Sequence, residues 1–249
     1  MRFTANARIC RPGRSAELCA DCCMDDLAVV IVAGGSARRF GGNKLLLELD
    51  GLPLFLHCVR RFLPAAAPGC LVVVHPRGGG DEFRLAAERF LPDAPIVWTA
   101  GGAFRCASVQ AGLAAIPLRE GIVAIHDAAR PLASVSLLET LAEEARRSGG
   151  AIPGKPVTDT LKRSDGGGMI AGTVSREGLW RVETPQVFDL SRLRAAYAAN
   201  PEVDFTDDAG VMEAAGFPCR VVHNPEENIK VTYPGDMALL NRHFPGRRQ

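Results

Sequence analysis

Arg38, Arg39 and Lys44 share one short run, A-G-G-S-A-R-R-F-G-G-N-K (residues 33–44), which follows the apolar segment L-A-V-V-I-V. Glycines let backbone N–H groups approach an anion closely, and fixed cations neutralise it, so the run suits phosphate binding. It matches neither the G-x-x-x-x-G-K-[ST] P-loop nor the G-x-G-x-x-G dinucleotide fingerprint. A different phosphate loop and a plain surface loop with solvated arginines both remain open. Asp127, in I-H-D-A-A-R-P, stands just past a second apolar run, with Arg130 three residues on. A carboxylate there can hold a divalent ion shared with substrate phosphates, the usual arrangement for magnesium, or it can cap a turn. His126 reads as a packed or hydrogen-bonded histidine. In F-T-D-D-A-G-V-M-E-A-A-G, Thr206 or Asp207 suits a helix N-cap, and Asp208 is favoured by the helix dipole. Lys230 lies in N-I-K-V-T. Period-two alternation would turn Ile229 and Val231 one way and Asn228, Lys230 and Thr232 the other, into a cleft or into solvent.

The elements that must position these residues alternate. L-A-V-V-I-V-A-G, C-L-V-V-V-H-P, A-P-I-V-W-T-A-G-G and G-I-V-A-I-H-D read as buried strands. P-L-F-L-H-C-V-R-R-F-L, D-E-F-R-L-A-A-E-R-F-L, R-C-A-S-V-Q-A-G-L-A-A-I and V-S-L-L-E-T-L-A-E-E-A-R-R-S-G have helical spacing, the last closed by glycine. This order predicts an α/β fold: a doubly wound, mainly parallel, Rossmann-like sheet whose ligands sit at the carboxyl ends of strands. At about 155–178 the rhythm breaks into period-two alternation around Gly166–Gly168, which predicts a protruding β-hairpin arm. An isolated hairpin is marginal in water, so the arm should dock, on a second subunit or on its own domain. Helix, helix, strand, strand (N-I-K-V-T) and a last helix are expected after it.

The chain has 249 residues, 47% of them hydrophobic, and a net charge of +1, so no global basic field points to nucleic acid. It shows no apolar run of membrane-span length and no signal-peptide core at its start, which leaves the cytoplasm as the expected location. Of eight cysteines, Cys10, Cys19, Cys22 and Cys23 lie in residues 1–25, read as a disordered extension. The Cys19-x-x-Cys22 spacing lacks a second half that would complete a metal site. Cys58, Cys70, Cys106 and Cys219 read as small core residues of a reducing compartment. Residues 26–249 are expected to form one domain, with no further domain downstream.

Seven segments in this order, A-G-G-S-A-R-R-F-G-G-N-K, G-G-A-F-R-C-A-S-V-Q-A-G-L, H-D-A-A-R-P, P-V-T-D-T-L-K-R, R-E-G-L-W-R-V-E-T-P-Q-V-F, F-T-D-D-A-G-V-M-E-A-A-G and N-I-K-V-T-Y-P-G-D-M-A-L-L, resemble the 2-C-methyl-D-erythritol 4-phosphate cytidylyltransferases over about residues 27–243. The resemblance implies cytidylyl transfer from CTP to 2-C-methyl-D-erythritol 4-phosphate with release of pyrophosphate, a magnesium ion, and a homodimer in which each hairpin arm reaches its partner's site. By the same resemblance, Arg39 and Lys44 would meet the CTP phosphates, with Lys44 facing Asp127. Ala33, Gly34, Gly35, Gly102, Ala103 and Ser108 would form the nucleotide pocket. Asp127 would hold the metal beside Arg130. Thr160 and Arg176 of the arm, with Asp127, Arg130, Thr206, Asp208 and Lys230, would bind the acceptor. Arg39, Lys44 and Lys230 would be catalytic. The first run departs from the family pattern at Gly34, Ala37, Phe40 and Asn43, and it also resembles the loop of the molybdopterin guanylyltransferases, which lack the later segments. The alternatives are a cytidylyltransferase for another polyol phosphate, such as ribitol 5-phosphate, and a non-catalytic nucleotide-binding protein on the same fold.

Overall fold

The computed structural model describes residues 24–34, 43–201 and 203–244. Gly35, Arg38 and Arg39 therefore lie outside the described residues, as do residues 1–23 of the expected extension. Met24 is already tied down, its N–H donating to the Ala65 carbonyl at 3.0 Å.

The chain runs through β1 (Leu27–Val32), a short pair β2 (Glu48–Leu49) and β3 (Leu52–Pro53), α1 (Leu54–Phe62), β4 (Leu71–His75), α2 (Gly80–Phe90), β5 (Ile96–Ala100), α3 (Arg105–Ala115), β6 (Ile122–Asp127) and α4 (Val135–Ser148). It continues through β7 (Gly150–Pro156), β8 (Leu161–Ser164), β9 (Ile170–Val174), β10 (Trp180–Val182), β11 (Gln186–Asp189), α5 (Leu190–Ala199), α6 (Asp208–Ala214), β12 (Arg220–His223) and α7 (Pro234–Leu240). The eight-stranded sheet has the order β10-β7-β11-β6-β1-β4-β5, with β12 added on β7. The block β6, β1, β4 and β5 is parallel, while β11 runs antiparallel to both β6 and β7. The doubly wound, mainly parallel fold expected from the alternating pattern is the fold observed.

Double winding is visible in β1 itself. Leu27, Val29 and Ile31 bury toward a cluster shared with α1, α2 and α4, whereas Ala28 and Val30 bury toward α3, α5 and α6. Such a strand must be apolar at every position, which is why it reads as a continuous run. Gly112 lets α3 sit close on the sheet, since a Cβ there would meet Val30 Cγ1 at 2.5 Å. No helix among the described residues is long and apolar enough to cross a membrane.

The hairpin is present as β8 paired antiparallel with β9. Asp165 Oδ1 accepts the N–H groups of Gly167 and Met169, both at 2.9 Å, and Gly168 takes φ +84°, so the triple glycine is the turn. Lys155 and Pro156, the first residues of the expected range, belong instead to β7 of the main sheet.

Two readings need correction. The strands β7, β10 and β11 were not anticipated. β7 carries proline and glycine inside the sheet, which argues against a strand on pattern alone. At Gly154 a Cβ would be a tight fit, within 3.2 Å of Val221 and 3.4 Å of the Arg181 carbonyl. Conversely, N-I-K-V-T is not a strand. Val231 is buried but so is Asn228, at 5% exposure, while Lys230 is exposed. The expected shared direction of Asn228 and Lys230 is therefore wrong. A buried asparagine here serves side-chain hydrogen bonds in place of a ladder.

Candidate active site

The carboxyl ends of β1, β4, β5 and β6 form one edge. Val32 and Asp127 are paired in register across β1 and β6, so Ala33 and Gly34 leave the sheet beside Asp127. The turn after β5 closes on the start of α3. Ser108 Oγ accepts the Gly102 N–H at 3.1 Å and donates to the Phe104 carbonyl at 3.1 Å. This turn tolerates only glycine at two places: a Cβ on Gly101 would stand 2.8 Å from Ser108 Oγ, and one on Gly102 would stand 2.2 Å from the Ala107 Cβ. Gly34 touches the same serine, its Cβ position lying 3.3 Å from Ser108 Oγ. Ala33, Gly34, Gly102 and Ser108 thus converge. Ser108 is buried and holds the turn, and Ala103 is exposed at its rim.

Asp127 is the centre of the charged cluster. Lys230 Nζ stands 2.6 Å from its Oδ2, Arg105 Nε 3.7 Å from its Oδ1, and Arg130 Nε 4.0 Å from its Oδ2. Burial would raise the Asp127 pKa, but Lys230 and Arg105 outweigh it and hold the carboxyl far below the usual range. Arg105 also donates from Nη2 to Asp208 Oδ2 at 2.6 Å. Burial opposes its charge, yet Asp208 and Asp127 keep Arg105 firmly protonated. Asp208 is fully buried and takes a second bond from the Tyr197 hydroxyl at 2.6 Å. Gln186 Oε1 accepts the backbone N–H groups of Asp208 and Ala209, and its Nε2 donates to Asp207, which is the actual N-cap of α6. Thr206 is exposed at the mouth of this helix.

Lys44 Nζ donates to the Val231 carbonyl at 2.6 Å, which places it beside the segment that carries Lys230. His126 is the packed histidine expected. Its Nε2 meets the Arg130 carbonyl at 3.0 Å, and the Thr184 hydroxyl lies 3.2 Å from its Nδ1. A carbonyl can only accept, so Nε2 carries the proton and Nδ1 accepts from Thr184. Burial lowers the His126 pKa to about 4. Thr160 and Arg176 lie exposed in the arm region, where Arg176 donates to the Thr158 carbonyl.

The sequence reading did not nominate Arg105, which bridges the two acids of the site. Its one available signal was its place at the start of α3, directly after the G-G-A-F turn on the same strand edge. It also missed Gln186, Tyr197 and the pair Glu183 and Thr184. As for a divalent ion, no group of three or more His, Cys, Asp or Glu converges among the described residues. A single ionised carboxylate, Asp127, fits the donor set of magnesium, which takes most of its ligands from water and substrate phosphates.

The family model described as IspD, 2-C-methyl-D-erythritol 4-phosphate cytidylyltransferase, matches residues 27–243. A protein of that name from Prochlorococcus marinus is 38% identical over 217 residues, covering 85% of this chain and 95% of its own. A bifunctional enzyme IspD/IspF from Granulibacter bethesdensis is 42% identical over 219 residues, covering 87% of this chain but 56% of its own length. The chain therefore spans little more than half of such two-function relatives. The crystal structure of the Thermus thermophilus cytidylyltransferase superposes with a TM-score of 0.71 at 32% identity, covering 87% of this chain and 98% of that one. On these grounds the chain belongs to the IspD family, the 2-C-methyl-D-erythritol 4-phosphate cytidylyltransferases.

Proposed function

We propose that the protein transfers a cytidylyl group from CTP to 2-C-methyl-D-erythritol 4-phosphate, giving 4-diphosphocytidyl-2-C-methyl-D-erythritol and pyrophosphate in isoprenoid biosynthesis. The observation that carries this reading is the cluster of Lys230, Arg105 and Arg130 around Asp127, next to the Gly34 and Gly102 turns. Two anions must meet for this reaction: an acceptor phosphate oxygen attacks the α-phosphorus of CTP, and pyrophosphate leaves. Fixed cations reduce their repulsion and stabilise the charge of the five-coordinate transition state. A phosphate dianion needs no general base, and His126, neutral and fully hydrogen-bonded, is not placed to be one.

In this reading Ala33, Gly34, Gly35, Gly102, Ala103 and Ser108 receive the nucleoside, and Arg39 and Lys44 receive the triphosphate. Asp127 would hold magnesium, which when bound neutralises phosphate charge. Arg130, Lys230 and Thr206 face the acceptor, with Thr160 and Arg176 contributed by the arm of a second copy; Asp208, expected to bind the acceptor directly, is fully buried and acts on the site through Arg105. The exposed arm supports a homodimer: Met169 and Ile170 at its tip are 72% and 68% exposed. A cavity of about 710 Å³ beside Lys230, lined also by Arg130, Lys155, Arg181 and Arg242, has the size and charge for a polyol phosphate. Cytoplasmic residence goes with the reading, and the thiols of Cys58, Cys106 and Cys219, which form no disulfide, suit a reducing compartment.

The test is release of pyrophosphate from CTP and magnesium with a panel of polyol phosphates. Release with methylerythritol phosphate is expected. Release only with ribitol 5-phosphate would reassign the acceptor, and none with any acceptor would leave a nucleotide-binding protein.

A further inference from the structure

The segment that carries Lys230 has almost no backbone ladder. The Asn224 N–H donates to the Gly154 carbonyl and the Val231 N–H to the Ala129 carbonyl, both at 2.9 Å. Between these two points, side chains carry the segment. Three cations take its carbonyls: Lys155 that of Glu226 at 2.6 Å, Arg130 that of Asn228 at 2.8 Å, and Lys44 that of Val231 at 2.6 Å. From the other side, one carboxylate oxygen holds both of its asparagines. Glu183 Oε2 accepts from Asn224 Nδ2 at 2.8 Å and from Asn228 Nδ2 at 3.2 Å, and Asn228 Nδ2 also donates to the Thr184 carbonyl at 2.8 Å. Glu183 is 5% exposed.

A carboxylate this deeply buried is costly unless it is paired and hydrogen-bonded, and an apolar side chain would pack the same space without that cost. What an apolar side chain cannot do is grip two points of an unladdered segment four residues apart. We infer that Glu183 is a positioning residue, which clamps Asn224 and Asn228 and so sets Lys230 against Asp127 and Arg130 against the acceptor. The chain of contact is short. Asn228 is two residues from Lys230, and its carbonyl orients the Arg130 guanidinium that approaches Asp127. Among the described residues, Gly34, Gly102 and Ser108 of the nucleotide side have no hydrogen bond to Glu183.

The inference rests on the proposed reaction for its kinetic readout and on the geometry alone for its physical one. Glu183→Ala removes both grips. Glu183→Gln keeps an oxygen acceptor of the same reach for the two asparagine amides. Amide hydrogen exchange over residues 224–231 is measured in wild type and both variants. Exchange should quicken in Glu183→Ala and return toward wild type in Glu183→Gln; an unchanged segment in Glu183→Ala overturns the inference whatever the enzyme does. In the pyrophosphate assay, Glu183→Ala should lower kcat/KM for the polyol phosphate by about tenfold or more while KM for CTP stays within about twofold, with Glu183→Gln within about threefold of wild type. Equal losses for both substrates, unrelieved in Glu183→Gln, would show a general structural role and also overturn it. Inactive wild type with quickened exchange in Glu183→Ala would refute the reaction and leave the clamp standing.

Discussion

Arg105 reaches Asp208 at 2.6 Å with one nitrogen and Asp127 at 3.7 Å with another, so a single guanidinium joins the start of α6 to the carboxyl end of β6. Asp208 is fully buried, and beyond Arg105 its side chain has the neutral Tyr197 hydroxyl. Removing the cation strands a buried charge. Arg105→Ala should therefore cost about 3 kcal/mol in urea unfolding, with the Arg105→Ala/Asp208→Asn pair recovering part of it. A loss under about 1 kcal/mol would mean that water reaches Asp208 and that the bridge is not structural. Activity should fall further than stability explains, because Asp127 also loses one of its cations.

Acid should act through His126 before it acts through Asp127. The folded His126 pKa is near 4, below its unfolded value, so the unfolded chain takes up a proton that the native state refuses. Stability is then complete above about pH 6.5 and falls as pH drops from there toward 4. The cause is physical: protonated Nδ1 can no longer accept the Thr184 hydroxyl, which in turn accepts the Asp127 backbone N–H at 3.1 Å. Asp127 acts in a lower pH window. Its depressed pKa gives a contribution present above the unfolded carboxylate value, and lost only as pH falls below it. Urea midpoints should drop from pH 7 to pH 5 in wild type and differ less in His126→Gln. Equal drops in both proteins would exclude His126 as the sensor.

The parts of the site legible in the sequence share one property: their chemistry follows directly from a run with one meaning. The short apolar stretch before Asp127 reads as a doubly covered strand, which puts the carboxylate at its carboxyl end. The same holds for the turn after β5 and for the triple glycine of the hairpin. What stayed hidden depends on tertiary partners. Arg105 at the start of a helix looks like any solvated arginine until Asp127 and Asp208 are brought to it. Asn228 fits a strand alternation that the buried Glu183 overrides. β7 could not be read because Pro153 and Gly154 argue against a strand, and the close approach of Val221 and Arg181 to Gly154 appears only in the folded chain.

Lys230 and Lys44 meet the same short segment and should fail differently. Lys230→Ala removes the ammonium 2.6 Å from Asp127 but leaves Arg105 and Arg130 to hold the carboxylate, so folding should survive. Turnover should fall about 100-fold or more, as when a charge-stabilising donor is lost. Lys44→Ala loses the Val231 carbonyl contact as well as a proposed triphosphate cation. Its loss should appear in KM for CTP in addition to kcat. Near-normal rates in either folded variant would remove that lysine from the reaction.

The proposed dimer, with its shared sites, can be tested through the arm by complementation. If each site is built from Lys230 of one subunit and Arg176 of the other, Lys230→Ala and Arg176→Ala homodimers are both inactive. Mixed after unfolding and refolding together, about half of the dimers are heterodimers, each with one site free of either substitution. Activity should then return to about a quarter of wild type, the ceiling set by two-fold symmetry. Recovery would also show that Arg176, exposed within its own subunit, acts across the interface. No recovery, with heterodimers demonstrated by tagged pull-down, would mean that Arg176 serves the acceptor site of its own subunit.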